Sequence, residues 1–144
     1  MAEKKRLVLV SGASGAVGRD YINLLSDIEN THCVAISRAV ADFDVPNVTQ
    51  CKADLLDAEA TANAVRGISF DGYDEIIFVH SVGRFKYEQH GLPEIDLNND
   101  GIDDEIYATN IETFVNVIKP VMVSLIEKRK QGEQVNLGMY GLGS

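Results

Sequence analysis

Short, nearly continuous apolar runs alternate along this chain with segments whose apolar residues recur at helical spacing. Arg6–Val10 is aliphatic and predicts a first strand. The spacing of Val17, Tyr21, Leu24, Leu25 and Ile28 predicts a helix over Ala16–Ile28 with those residues on its buried face. Cys33–Ser37 and Val48–Lys52 predict the second and third strands, and the connection between them, Arg38 to Asn47, is short for a crossover helix, which predicts a loop with about one turn. A helix over Ala58–Val65 follows, then Glu75–His80 (EIIFVH), a strand apolar enough to be buried on both faces. After a polar loop, a long helix is predicted from about Asp103 to Lys130, then a last strand over Gln134–Met139. Pro120 lies inside that helix, yet Val117, Val121 and Leu125 keep the apolar spacing across it, which predicts a mild kink rather than an end. Apolar strands alternating with helices predict an α/β fold, a three-layer parallel sheet covered on both faces.

Composition changes this picture little. A chain of 144 residues, 45% hydrophobic and 24% charged, suits one globular domain with its own core. No run approaches the roughly 18 apolar residues of a membrane span, and the stretch after Lys4-Lys5-Arg6 is too short for a signal peptide. Cys33 and Cys51 fall inside strands, as expected of buried, reduced thiols, so a cytoplasmic setting without a membrane partner is expected. A net charge of −9 argues against a nucleic-acid partner.

The chemistry starts where the first strand runs into Gly12, Gly15 and Gly18. Glycines between a strand and a helix allow a tight turn, let backbone N–H groups approach a pyrophosphate, and let the helix pack close to the sheet. The helix N-terminus adds partial positive charge. The alternative is a tight turn with no ligand. Other motifs are weaker. Asp96-x-Asn98-x-Asp100-Gly101 imitates a calcium loop, but its twelfth position is Tyr107, and no metal site is expected. His32 and His90 share no spacing with another ligand, and only His80, ending the fourth strand, falls near the expected cleft.

At this point the chain resembles the short-chain dehydrogenase/reductase family over nearly its whole length. Ser11-Gly12-Ala13-Ser14-Gly15-Ala16-Val17-Gly18 is similar to that family's glycine loop, with the middle glycine displaced by one as in its extended and atypical members. The resemblance implies a Rossmann-type sheet of order 3-2-1-4-5, ending after the fifth strand, and one dinucleotide-binding domain over residues 1–144. It implies that Gly12, Ser14, Gly15, Ala16, Val17 and Gly18 hold the cofactor phosphates, and that Asp54 and Leu55 hold the adenine ring. His80-Ser81-Val82-Gly83 stands where the family carries Asn-Asn-Ala-Gly, so His80, Ser81 and Gly83 are expected beside the cofactor. Asn110, within Thr109-Asn110-Ile111, matches the asparagine of the family's Asn-Ser-Tyr-Lys catalytic group.

Ser37 and Arg38 end the second strand, about 20 residues after Gly18, where NAD-binding members carry an acidic residue for the ribose hydroxyl. A guanidinium can grip a 2′-phosphate with two hydrogen bonds, so NADP(H) is expected over NAD(H), the alternative being a solvated surface arginine.

The family's chemistry also needs a Tyr-x-x-x-Lys pair. Tyr140 is the only tyrosine after Asn110, and the residue four places on is Ser144; the catalytic serine is absent too, with Gly138 and Met139 at its place. The chain therefore resembles the cofactor-binding part of such an enzyme, without turnover of its own. Three readings follow: an NADP(H)-dependent oxidoreductase seen without its catalytic end, a regulator or scaffold that senses NADP(H), and a structural fragment that binds nothing. The substrate is an unidentified small molecule. A fifth strand left as an edge and an unpartnered apolar face on the long helix predict a homo-oligomer.

Overall fold

The computed structural model describes residues 4–38, 43, 47–82 and 108–141. Five strands, β1 (Arg6–Ser11), β2 (Thr31–Ser37), β3 (Val48–Lys52), β4 (Glu75–His80) and β5 (Asn136–Gly141), form one sheet in the order β3-β2-β1-β4-β5. All four pairings are parallel, so the architecture is the one the sequence predicts. The helices among the described residues are α1 (Ala16–Leu25), α2 (Ala58–Arg66) and α3 (Thr113–Lys130), the last preceded by a π-helical turn, Ala108–Glu112.

Successive residues of a strand point to opposite faces, and this splits the core in two. Leu7, Leu9, Val34, Ile36, Ile76 and Phe78 face α2 and α3, where Val65, Val117, Val121 and Leu125 meet them. Val8, Val10, Cys33, Ala35 and Val79 face the other way, onto Ile22 of α1. Val117, Val121 and Leu125 are all buried, and α3 continues through Pro120 as expected. Cys51 is only half-buried, because β3 is an edge strand. Burial pushes the Cys33 thiol up to about 11, which leaves it un-ionised at neutral pH.

Several boundaries differ from expectation. Helix α1 stops at Leu25, not Ile28, because the Ser26 backbone N–H closes the last turn on Ile22 and its hydroxyl donates to the Asn23 carbonyl. Its buried face is Gly18 and Ile22, with Leu25 partly covered, whereas Val17 and Leu24 are exposed. Smallness at Gly18 sets how the helix meets the sheet, and a count of apolar residues misses that. Asn30, at φ 58°, turns the chain so that β2 starts at Thr31 rather than Cys33. Strand β5 begins at Asn136 rather than Gln134, in register with Glu75. The expected helix from Asp103 enters the described residues as the π-helical turn; Asp103 itself, the calcium-like loop and His90 lie outside them.

Lys128 ties the end of the molecule remote from the strand C-termini. Its ammonium pairs with Asp71, before β4, and with Glu133, in the α3–β5 turn, at 3.4 Å. The hydrogen bond to Asp71 is the main reason its proton is held above the usual lysine range, against a smaller burial effect. Lys128→Met keeps the buried stem and removes the charge, and about 1 kcal/mol of stability is expected to go with it, Asp71 being largely exposed. Urea melts at low and high salt check this, the loss shrinking as salt rises.

Candidate functional site

The sheet delivers the C-terminal ends of β1, β2 and β4 to one side, and the loops leaving them enclose a cleft of about 420 Å³. Gly12, Ser14, Gly15, Ser37, Arg38, Asp54, Leu55 and Ser81, all expected at the site, line it. Leu56, Val82, Thr109 and Thr113 line it as well, and the sequence reading did not single these out. Gly83 lies outside the described residues.

The three glycines do different work. Gly12 sits at φ +72°, where side chains are strained, and a Cβ there would lie 2.9 Å from Val82 Cγ2. A Cβ on Gly18 would lie 2.7 Å from Ser81 Oγ and 2.9 Å from Ala13 Cα, so α1 could not approach β1. Gly15 is different: among the described residues, a Cβ would meet only the Gly12 carbonyl oxygen, at 3.4 Å. Packing among the described residues does not require glycine at that exposed position, which leaves room for a further group. Gly15 is the N-cap of helix α1 and no side chain caps it, so the N–H groups of the first turn, Ala16 and Val17 among them, are presented uncapped.

The opposite wall is rigid. The Asp54 carboxylate accepts the Leu56 N–H at 3.0 Å, the Thr61 hydroxyl donates to the Asp54 carbonyl, and Asn116 of α3 donates to the Leu55 carbonyl at 2.8 Å. The second carboxylate oxygen of Asp54 retains acceptor capacity beside the cleft. Ser81 donates its hydroxyl to the Ser11 carbonyl, joining the tips of β4 and β1.

His80 does not line the cleft; it is buried, 6% exposed, beneath it. Nδ1 lies 2.7 Å from Ser11 Oγ and Nε2 lies 3.4 Å from Thr113 Oγ1. Burial lowers its proton affinity, only partly offset by a hydrogen bond to the Asn110 backbone. Asn110 sits in the π-helical turn, which brings Thr109 to the cleft. Because the folded ring resists a proton that the unfolded ring takes up, the His80 contribution to stability is complete above pH 6.5 and is lost as pH falls below it. Urea melts of wild type and His80→Asn between pH 5 and 8 check this: their difference should narrow on the acid side, and a constant difference contradicts it.

No protein-family model matches the chain. It is 25% identical over 147 aligned positions to the 3-oxoacyl-(acyl-carrier-protein) reductase FabG of Aggregatibacter actinomycetemcomitans, covering 89% of this chain and 54% of that protein. The chain thus spans about half the length of the curated relative it matches. Among solved structures, a short chain dehydrogenase from Mycobacterium avium superposes with a TM-score of 0.76 at 16% identity, over 96% of this chain and 54% of its own. A short chain dehydrogenase from Leptospira borgpetersenii with bound NAD+ superposes with a TM-score of 0.70 at 15% identity, over 98% of this chain and 52% of its own.

Proposed function

Since the chain belongs to the short-chain dehydrogenase/reductase family, we propose that it is the NADP(H)-binding domain of an oxidoreductase. The observation that carries this is the glycine turn: Gly12 and Gly18 are required by packing, whereas Gly15 is open toward the cleft. In this reading the pyrophosphate lies over Gly12, Ser14 and Gly15, against the first-turn N–H groups of Ala16 and Val17, and Gly18 lets the helix come close enough. Ser37 and Arg38 bind the adenosine ribose and its 2′-phosphate, and Asp54 and Leu55 bind the adenine. Ser81 and Gly83 serve the nicotinamide half, with Asn110 nearest the reacting groups. When bound, NADP(H) supplies the hydride; the chain's residues bind and orient it. The bound NAD+ of the Leptospira protein supports a nicotinamide dinucleotide as the ligand class. The substrate is a small molecule, and the free cysteines support a cytoplasmic setting.

Titration calorimetry with NADPH and NADH tests the reading directly. Both are expected to bind, NADPH more tightly; if neither binds, the reading fails. The 144 residues hold no Tyr-x-x-x-Lys pair, so this stretch by itself lacks the proton partner that such chemistry uses. Losing a general acid costs about 10²–10⁴-fold, so this stretch alone is expected to show no measurable NADPH oxidation with simple carbonyls. A robust rate abolished by Asn110→Ala counts against that. Exposed Met122, Val123 and Ile126 on α3, and Met139 and Tyr140 on β5, support a homo-oligomer.

A further inference from the structure

We propose that His80 is a positioning residue that holds the π-helical turn containing Asn110, and with it Thr109 at the cleft wall, and loosens it on protonation. The identity of what the turn touches rests on the dinucleotide reading; the coupling itself rests on geometry alone.

His80 is the last residue of β4 and stands in register with Ser11 on one side and Gly141 on the other. Its ring packs edge-on against Phe78 and Phe114, at centroid distances of 5.9 and 5.4 Å, which fixes the direction of both nitrogens. The Thr113 hydroxyl spends its one proton on the Thr109 carbonyl, so toward Nε2 it can only accept. The ring therefore carries its proton on Nε2, and Nδ1 accepts from Ser11. Ser11, His80, Thr113 and Thr109 form one directed chain from the tip of β1 to the cleft wall, joined by the Asn110 backbone.

A π-helical turn has poorer local geometry than an α-helical one and persists where surrounding contacts hold it. Here the chain through His80 is such a contact. A second proton, on Nδ1, would face the proton of the Ser11 hydroxyl, which would have to turn to the Val79 carbonyl at 3.5 Å. Among the described residues, the groups against the ring from β1, β4 and α3 are Ser11, Phe78, Thr113 and Phe114, and its register partner on β5 is Gly141; none of them is ionisable. Burial, the larger effect, sets the closed arrangement against a charged ring, and the Asn110 backbone, which favours the charged ring, offsets it only in part. A protonated ring therefore favours opening, and no charged side chain among the described residues adds to these effects.

Two measurements on the chain decide the matter. NMR between about pH 5.5 and 8 follows the His80 ring with the amides of Thr109, Asn110 and Thr113. All four are expected to titrate together, at a pH below the usual histidine range. Ser11→Ala, which removes the donor to Nδ1, is expected to raise that midpoint, and His80→Asn to leave the three amides flat. Calorimetry with NADH, which lacks the titrating 2′-phosphate, is expected to give roughly three- to tenfold weaker binding at the acid end, the scale of one hydrogen bond. In His80→Asn the NADH affinity should not vary with pH, whereas a merely structural histidine would leave the wild-type affinity equally flat. Amides that stay still while the ring titrates overturn the proposal. Amides that move with the ring, in a protein that binds NADH at no pH, uphold the positioning role and remove the cofactor reading instead.

Discussion

Arg38→Ala is expected to weaken NADPH binding by roughly 10- to 100-fold while leaving NADH almost unchanged. Arg38 follows the last residue of β2 and lines the cleft at that strand's C-terminal end. A charge-assisted contact between a guanidinium and a phosphate is worth about 1.5–3 kcal/mol, and each 1.4 kcal/mol is about tenfold in affinity. NADH lacks the phosphate, so it has nothing to lose there. Arg38→Asp should go further, repelling NADPH while offering the NADH ribose an acceptor. Titration of both cofactors against both variants gives the answer. If Arg38→Ala keeps the NADPH preference intact, another residue reads the phosphate.

Gly18→Ala is expected to destabilise the fold by about 3 kcal/mol, at the upper end of overpacking costs, out of a total near 5–15 kcal/mol. The new methyl would press on the Gly12 carbonyl oxygen and on Ala13 Cα, backbone atoms that cannot swing aside. Gly15→Ala makes the matching control. Its backbone, at φ −76° and ψ 165°, accepts alanine, and the added methyl meets one atom at an ordinary distance. Its stability should stay within about 0.5 kcal/mol of wild type, while dinucleotide affinity falls. Urea melts of the two variants separate the roles, and equal destabilisation would mean that the whole turn is structural.

Much of this was legible in the sequence because parallel strands buried on both faces are continuous apolar runs. Glu75–His80 falls where expected for that reason, Val48–Lys52 falls where expected although it is a half-exposed edge strand, and the strand order is the one the family resemblance implied. The face of α1 was not legible, since helical spacing weighs Val17 and Leu24 as core, while the contact is made through a residue with no side chain, Gly18. The π-helical turn was hidden for a related reason. It stands at the start of the helix, before the apolar spacing of Val117, Val121 and Leu125 begins, and buries no residue of its own, so Thr109 and Thr113 reach the cleft unannounced. His80 was legible as lying near the site but not as lying beneath it, because its partners Ser11 and Thr113 are far away in sequence and hydroxyl residues carry no periodic signal.

The strand order also has a consequence in time. The central seam joins β1 to β4, so Arg6 must wait for Glu75, whereas the β1–β2 seam needs only Arg6 and Thr31. During synthesis, Leu7–Val10 can gain one neighbour early and must leave its other edge open until some seventy residues have emerged. Closing that span costs little more entropy than closing a short one, because the cost grows only with the logarithm of length. Exposure during the wait is the larger hazard, for an apolar strand with an open edge is a template for pairing with another chain. Slow translation before Glu75 would therefore lower the yield of native protein more than the same pause placed before Asn136, where an edge strand is being added to a seam already closed.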